Sequence, residues 1–248
     1  DGTLTLSGAG VYVFQTASTL ITGTSAKPII TLVDGALAQN IYWVVGSSAT
    51  LSSGTAGTFV GTLIASASIT STMTGGEVVG SLIALGAAVT LSGPTEINVR
   101  PLGPGPAAPD LGPVTVPAPA PTPAPTIAPT QTDTFELGTA RSFGILAASA
   151  ITSTGKSVVN GHLGNYPGTA ATGFPPGVVN GDSNLCALVG CTGTSLDTAV
   201  VRTAKESARA AYTTMRALTP TTVATALGGQ TLTPGTYNSA AGTFTLDG

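Results

Sequence analysis

One phrase recurs along the chain: GTLIASASIT at Gly61–Thr70, GSLIALGAAVT at Gly80–Thr90 and GILAASAIT at Gly144–Thr152, with an echo in VVGSSATL at Val44–Leu51. Each copy opens on glycine, continues with aliphatics and small residues, and closes on a β-branched residue and a threonine. The first two copies start 19 residues apart (80 − 61), a spacing that suits one turn of a β-solenoid. Glycine and alanine at the corners with stacked aliphatics inside are what a narrow, close-packed coil requires. The long apolar stretch VVGSLIALGAAVTL, Val78–Leu91, is broken by Gly80, Ser81 and Gly86, so it reads as buried strands and not as a membrane span.

Composition divides the chain into three. Residues 1–100 are strand-like, and residues 101–134 hold eleven of the eighteen prolines. Proline lacks the donor a ladder needs, so this middle segment is expected to be an extended linker with a composition that suits O-linked sugars. Residues 135–248 form a second strand-rich block with one helix expected at 195–218. There Val201, Ala204, Ala208, Ala211, Tyr212 and Met215 make an apolar stripe, and Ser195 or Asp197 supplies the cap. Arg202, Lys205, Arg209 and Arg216 are expected on that helix's solvated face.

Chemistry-bearing residues are sparse. Only 8% of residues are charged and the net charge is −3, which excludes an electrostatic case for nucleic acid or an anionic membrane. The single histidine, His162, follows Asn160-Gly161 and is expected in a loop. Asp34, Glu77, Glu96, Asp182, Asp197 and Glu206 show no pairing suited to acid–base work, and no phosphate loop or nucleophile elbow occurs. No catalytic residue, cofactor or metal is expected. Cys186 and Cys191 bracket a four-residue spacer, poor for a metal and suited to a small disulfide, which implies an extracellular location. Of Tyr42 and Trp43, neighbours on one strand, one is expected in the core and the other outside.

The segments FELGTARSFGILAASAITSTG, VNGHLGNYPGTAATGFPPGVVNGD and LTPGTYNSAAGTF resemble the N-terminal half of the bacterial and fungal ice-binding protein family. GVYVFQTASTLIT, NIYWVVGSSATL, TFVGTLIA and VVGSLIALGAAVTLSG resemble its C-terminal half. The resemblance implies a mainly β fold: a discontinuous right-handed β-solenoid with one long helix alongside, split into two half-domains by the linker. The family's Gly-Arg-Leu-Leu-Ala phrase appears as Gly80-Ser81-Leu82-Ile83-Ala84, without the arginine. The halves stand in permuted order. Overlaying Asp247-Gly248 on Asp1-Gly2 gives GTFTLDGTLTLSGAGVYVFQ, one uninterrupted family-like segment, as expected of a circular permutation or a window on a tandem array.

Two functions follow. The first is a structural or adhesive repeat of an extracellular fibre or array, whose partners are copies of itself and whose half-domains complete those of neighbouring units. The alternative is ice binding through a flat face on which Thr50 and Ser52, Ser68 and Thr70, and Thr90 and Ser92 form ranks, with Thr16, Thr19 and Thr22 as an extension. Adjacent coils would set steps of ~4.8 Å across it, and alternate residues ~6.7 Å along it. The sequence shows no clear Thr-x-Thr ladder on successive coils.

Overall fold

The computed structural model describes residues 3–23, 29–52, 57–99, 135–185 and 194–246. The expected linker and the Cys186–Cys191 pair lie outside the described residues. The chain is mainly β, with short strands paired in parallel on three sides of a solenoid-like stack, and one long helix.

Eight strands make the first side, in the order His162–Asn165, Phe143–Ala147, Leu82–Ala84, Thr62–Ala65, Ile41–Val45, Tyr12–Thr16, Gly235–Ser239 and Thr221–Val223. Seven make the second: Ala170–Thr172, Ala150–Ser153, Val89–Leu91, Ile69–Ser71, Ala49–Leu51, Leu20–Thr22 and Phe244–Leu246. A five-stranded and a three-stranded sheet make the third. The spacing read from the repeat is the spacing of the coil, since Leu63 pairs with Leu82, 19 residues on. The glycines heading the first two phrases, Gly61 and Gly80, turn a corner, whereas Gly144 lies within strand Phe143–Ala147. Gly80 takes φ +153°, and a Cβ there would lie 2.0 Å from the carbonyl oxygen of Gly61 on the coil below. No other residue fits so close an approach.

Inside the stack, identical positions of successive coils form one column: Tyr237, Phe14, Trp43, Leu63, Leu82, Ile145 and Leu163. Phe14 and Trp43 stack with centroids 4.2 Å apart, and Trp43 Nε1 donates to the Val60 carbonyl at 2.9 Å. Burial of such large rings dominates a narrow core.

The helix runs from Thr198 to Arg216, shorter than expected, and Asp197 caps it by accepting from the Ala199 amide at 2.8 Å. Ser195 instead bridges to Ser183 in extended backbone. Val201, Ala204, Ala208, Ala211 and Met215 are buried against Tyr42, Val44, Ile64 and Ile83 on the outer surface of the eight-stranded sheet. Tyr42 is therefore not outside, as alternation with Trp43 suggested. Both are 1% exposed, because the outer surface of this strand is itself covered. Lys205 is likewise not on a solvated face. It is 7% exposed, and its Nζ donates to the carbonyls of Ala84 at 2.7 Å and Leu85 at 3.1 Å. Further along, Tyr212 donates to the Val45 carbonyl at 3.3 Å and Arg216 to that of Thr16 at 2.8 Å. These anchors lie on one stripe and step along the stack, at the coils of Ala84, Val45 and Thr16, so the helix lies along it.

The helix also explains the order of strands. Residues 143–172 occupy one end of the stack and residues 221–246 the other, with residues 3–98 between them. The two blocks complete each other within one chain, where completion by neighbouring units was expected. Strands Phe244–Leu246 and Thr3–Ser7 lie on adjacent sides of the stack, paired with Leu20–Thr22 and Ile29–Val33 respectively.

Candidate functional site

The helix covers the first side, and the third is interrupted between its two sheets. Among the described residues, the seven-stranded sheet presents an uncovered, regular surface. Parity decides what it presents. Leu20, Ala49, Ile69, Val89, Ile151, Ala171 and Phe244 point inward, so the next residue of each strand points out. In register, those outward residues are Thr172, Thr152, Thr90, Thr70, Thr50, Ile21 and Thr245.

Five consecutive coils thus carry threonine at one position, and a sixth follows beyond Ile21. Thr50, Thr70, Thr90, Thr152 and Thr245 are half-buried and Thr172 is exposed. Among the described residues, none of these hydroxyls makes a hydrogen bond to the protein. Each threonine therefore offers solvent a methyl and an unused hydroxyl, repeated every ~4.8 Å.

Small residues flank this column on both sides. On one side Ser48 and Ser68 share a hydroxyl–hydroxyl bond of 3.0 Å, in line with Ala88, Ala150 and Thr19. On the other, Thr72 donates to Ser52 Oγ at 3.0 Å, in line with exposed Ser92 and Thr154. Below that edge, buried hydroxyls tie the coils together: Ser71 and Thr95 share a bond of 3.3 Å, and Ser157 donates to the Gly93 carbonyl at 3.2 Å. Two pairs of side chains flanking the column, Ser48 with Ser68 and Thr72 with Ser52, thus bond to each other and not to the central threonines.

All six candidate residues lie on this sheet face, Thr50, Thr70 and Thr90 in the central column and Ser52, Ser68 and Ser92 beside it. Ser52 is 6% exposed, however, because Thr22 and Thr72 close over it. Of the expected extension only Thr19 faces outward. Thr16 and Thr22 are each 1% exposed, and Thr22 Oγ1 donates to the Ser52 carbonyl at 2.7 Å. The structure adds Thr152, Thr172 and Thr245, which completes a ladder that no single stretch of sequence displays.

The remaining polar groups are structural. His162 opens strand His162–Asn165 and is not in a loop; its Nδ1 accepts from the Asp182 amide at 3.0 Å. Hydrogen bonds from the Thr194 amide and hydroxyl hold the Asp182 carboxyl below its ordinary pKa. Glu77 and Glu96 stand in register on adjacent coils, which sequence reasoning missed. Their carboxylates accept from Asn98 at 2.7 Å and Asn160 at 3.1 Å, in a ladder that Asn180 continues. Among the described residues no three of His, Cys, Asp and Glu gather as metal ligands would, and no helix is long and apolar enough to cross a membrane.

The comparisons with known proteins agree on one theme. A family model described as "Ice-binding-like" matches residues 1–97 and 145–248. A curated relative, "Ice-binding protein" of Nostoc sp. (strain HG1), is 40% identical over 118 residues, which cover 45% of this chain and 40% of the relative. The matched region thus spans well under half of that relative's length. No solved structure matches the chain.

Proposed function

This chain belongs to the Ice-binding-like family, and we propose that it adsorbs to ice through the outward face of its seven-stranded sheet. One observation carries the reading: five threonines in register on successive coils, none with a hydroxyl partner among the described residues. Their methyls exclude loosely held water, and their hydroxyls fix the water that remains. A rigid face repeating at ~4.8 Å and ~6.7 Å imposes on that water a two-dimensional order close to that of a crystal plane. The ordered layer then merges with ice, and growth between adsorbed molecules is held back by the curvature it must adopt.

Adsorption of this kind requires no catalytic group and no cofactor. Low charge and abundant threonine suit an extracellular location. We take the winding as right-handed, the hand that nearly all parallel crossovers adopt. The fibre or adhesin reading, with neighbouring copies as partners, has no observation here in its favour.

Thermal hysteresis of the purified chain tests the proposal, together with T70Y, which sets a ring in the middle of the flat face. The wild type should show hysteresis, and T70Y should lose it while keeping the circular dichroism and melting temperature of the wild type. Hysteresis undiminished in T70Y, or absent in the wild type, would overturn the reading.

A further inference from the structure

The threonine column is broken once, at Ile21, which pairs with Thr245 on one side and Thr50 on the other. We infer that Ile21 ends the ice-ordering array, so that the working surface is the five-coil patch from Thr50 to Thr172 and Thr245 stands outside it. This rests on the ice-adsorbing reading and specifies its extent.

Two kinds of observation point to this boundary. The first is shape and chemistry. Isoleucine has no hydroxyl, and its δ-carbon stands one atom beyond the level set by threonine. Ile21 is 43% exposed, whereas Thr50 and Thr245 beside it are half-buried. It is a step in an otherwise level surface, and it cannot hold the water that its neighbours hold.

The second is the backbone beneath. Strands Ala49–Leu51, Ile69–Ser71 and Val89–Leu91 pair through three residues each, but Leu20–Thr22 pairs with Ala49–Leu51 through two. The bond from the Leu20 amide to the Ser48 carbonyl is 3.4 Å, against 3.0 Å for the equivalent bonds from Ala49 and Ile69. The Ser52 amide then bonds to the Thr22 side chain at 2.6 Å and not to backbone. The pairing is thus weakest on the Thr50 side of Ile21, although it is full again on the far side, where Leu20–Thr22 pairs with Phe244–Leu246 through three residues.

The test compares ice adsorption of the full chain, by thermal hysteresis and by partition of labelled protein into a growing ice hemisphere, in four forms. T90V, at the centre of the patch, should weaken adsorption about fivefold, the loss expected from one central contact. T245V should match the wild type. I21T should exceed the wild type, because it levels the step and lengthens the column from five threonines to seven. All are isosteric or smaller surface changes, and melting temperature checks the fold of each. If T245V is as harmful as T90V, or I21T brings no gain, Ile21 is not the boundary, although adsorption by the wild type would still stand. No adsorption by the wild type would remove the reading and this inference together.

Discussion

Single residues carry two separable roles, one inside the coil and one on its surface. Trp43 is the largest fully buried side chain, stacked on Phe14 and bonded to the Val60 carbonyl. W43A should cost about 3–5 kcal/mol in urea unfolding, by loss of packing and an orphaned acceptor. W43F keeps most of the packing and should cost less. The outward threonines are the reverse case: T70Y and T90V change adsorption with little change in stability. Thr50, Thr70 and Thr90 were legible in sequence because each closes a copy of the repeated phrase. Thr152 closes another copy, but it lies beyond the proline-rich segment, so its place on the next coil could not be read. Thr172 and Thr245 sit in strands without the phrase. Thr22 misleads for a different reason. It follows Leu-Ile as other threonines follow Ile or Val, but pairing of Leu20 with Ala49 shifts it by one residue to the inner face.

Among elements, the helix is the one whose chemistry differs most from its first appearance. Its apolar stripe was plain in the spacing. Lys205 lies on that stripe, four residues after Val201 and three before Ala208, so its burial was implicit in the same periodicity. Burial, aided by the charge of Arg209, lowers its pKa from 10.5 to about 8. The folded chain therefore sheds this proton at lower pH than the unfolded chain. Between about pH 8 and 10.5 the unfolded state binds more protons, so stability should rise with pH across that window. Below it the cost of burying the charge is fully present. Chemical denaturation at several pH values checks this, and K205M should flatten the slope.

The whole molecule was legible as a stack with a helix alongside, and its internal order was only partly so. The resemblance placed the two blocks in one fold, but no local pattern shows that residues 135–248 supply both ends of it. A consequence follows for folding. In a fragment of residues 135–248 alone, strands Phe143–Ala147 and Gly235–Ser239 would have four missing strands between them. That fragment should give no cooperative melt by itself and should regain one when residues 1–99 are added. A cooperative melt of the fragment alone would contradict the observed arrangement. The anchors on the helix carry a further consequence. Lys205 and Tyr212, seven residues apart, grip coils two steps apart, at the Ala84 and Val45 carbonyls. Seven residues rise about 10.5 Å along a helix, and two coil steps measure about 9.6 Å. The helix is thus a ruler graduated in coils. A single inserted coil calls for about three more helical residues, which would rotate the apolar stripe by roughly 60° off the sheet. Two coils call for about seven, which return the stripe to within ~20° of its place. A longer threonine face is therefore reached most readily in pairs of coils, each pair bringing one heptad of helix with it.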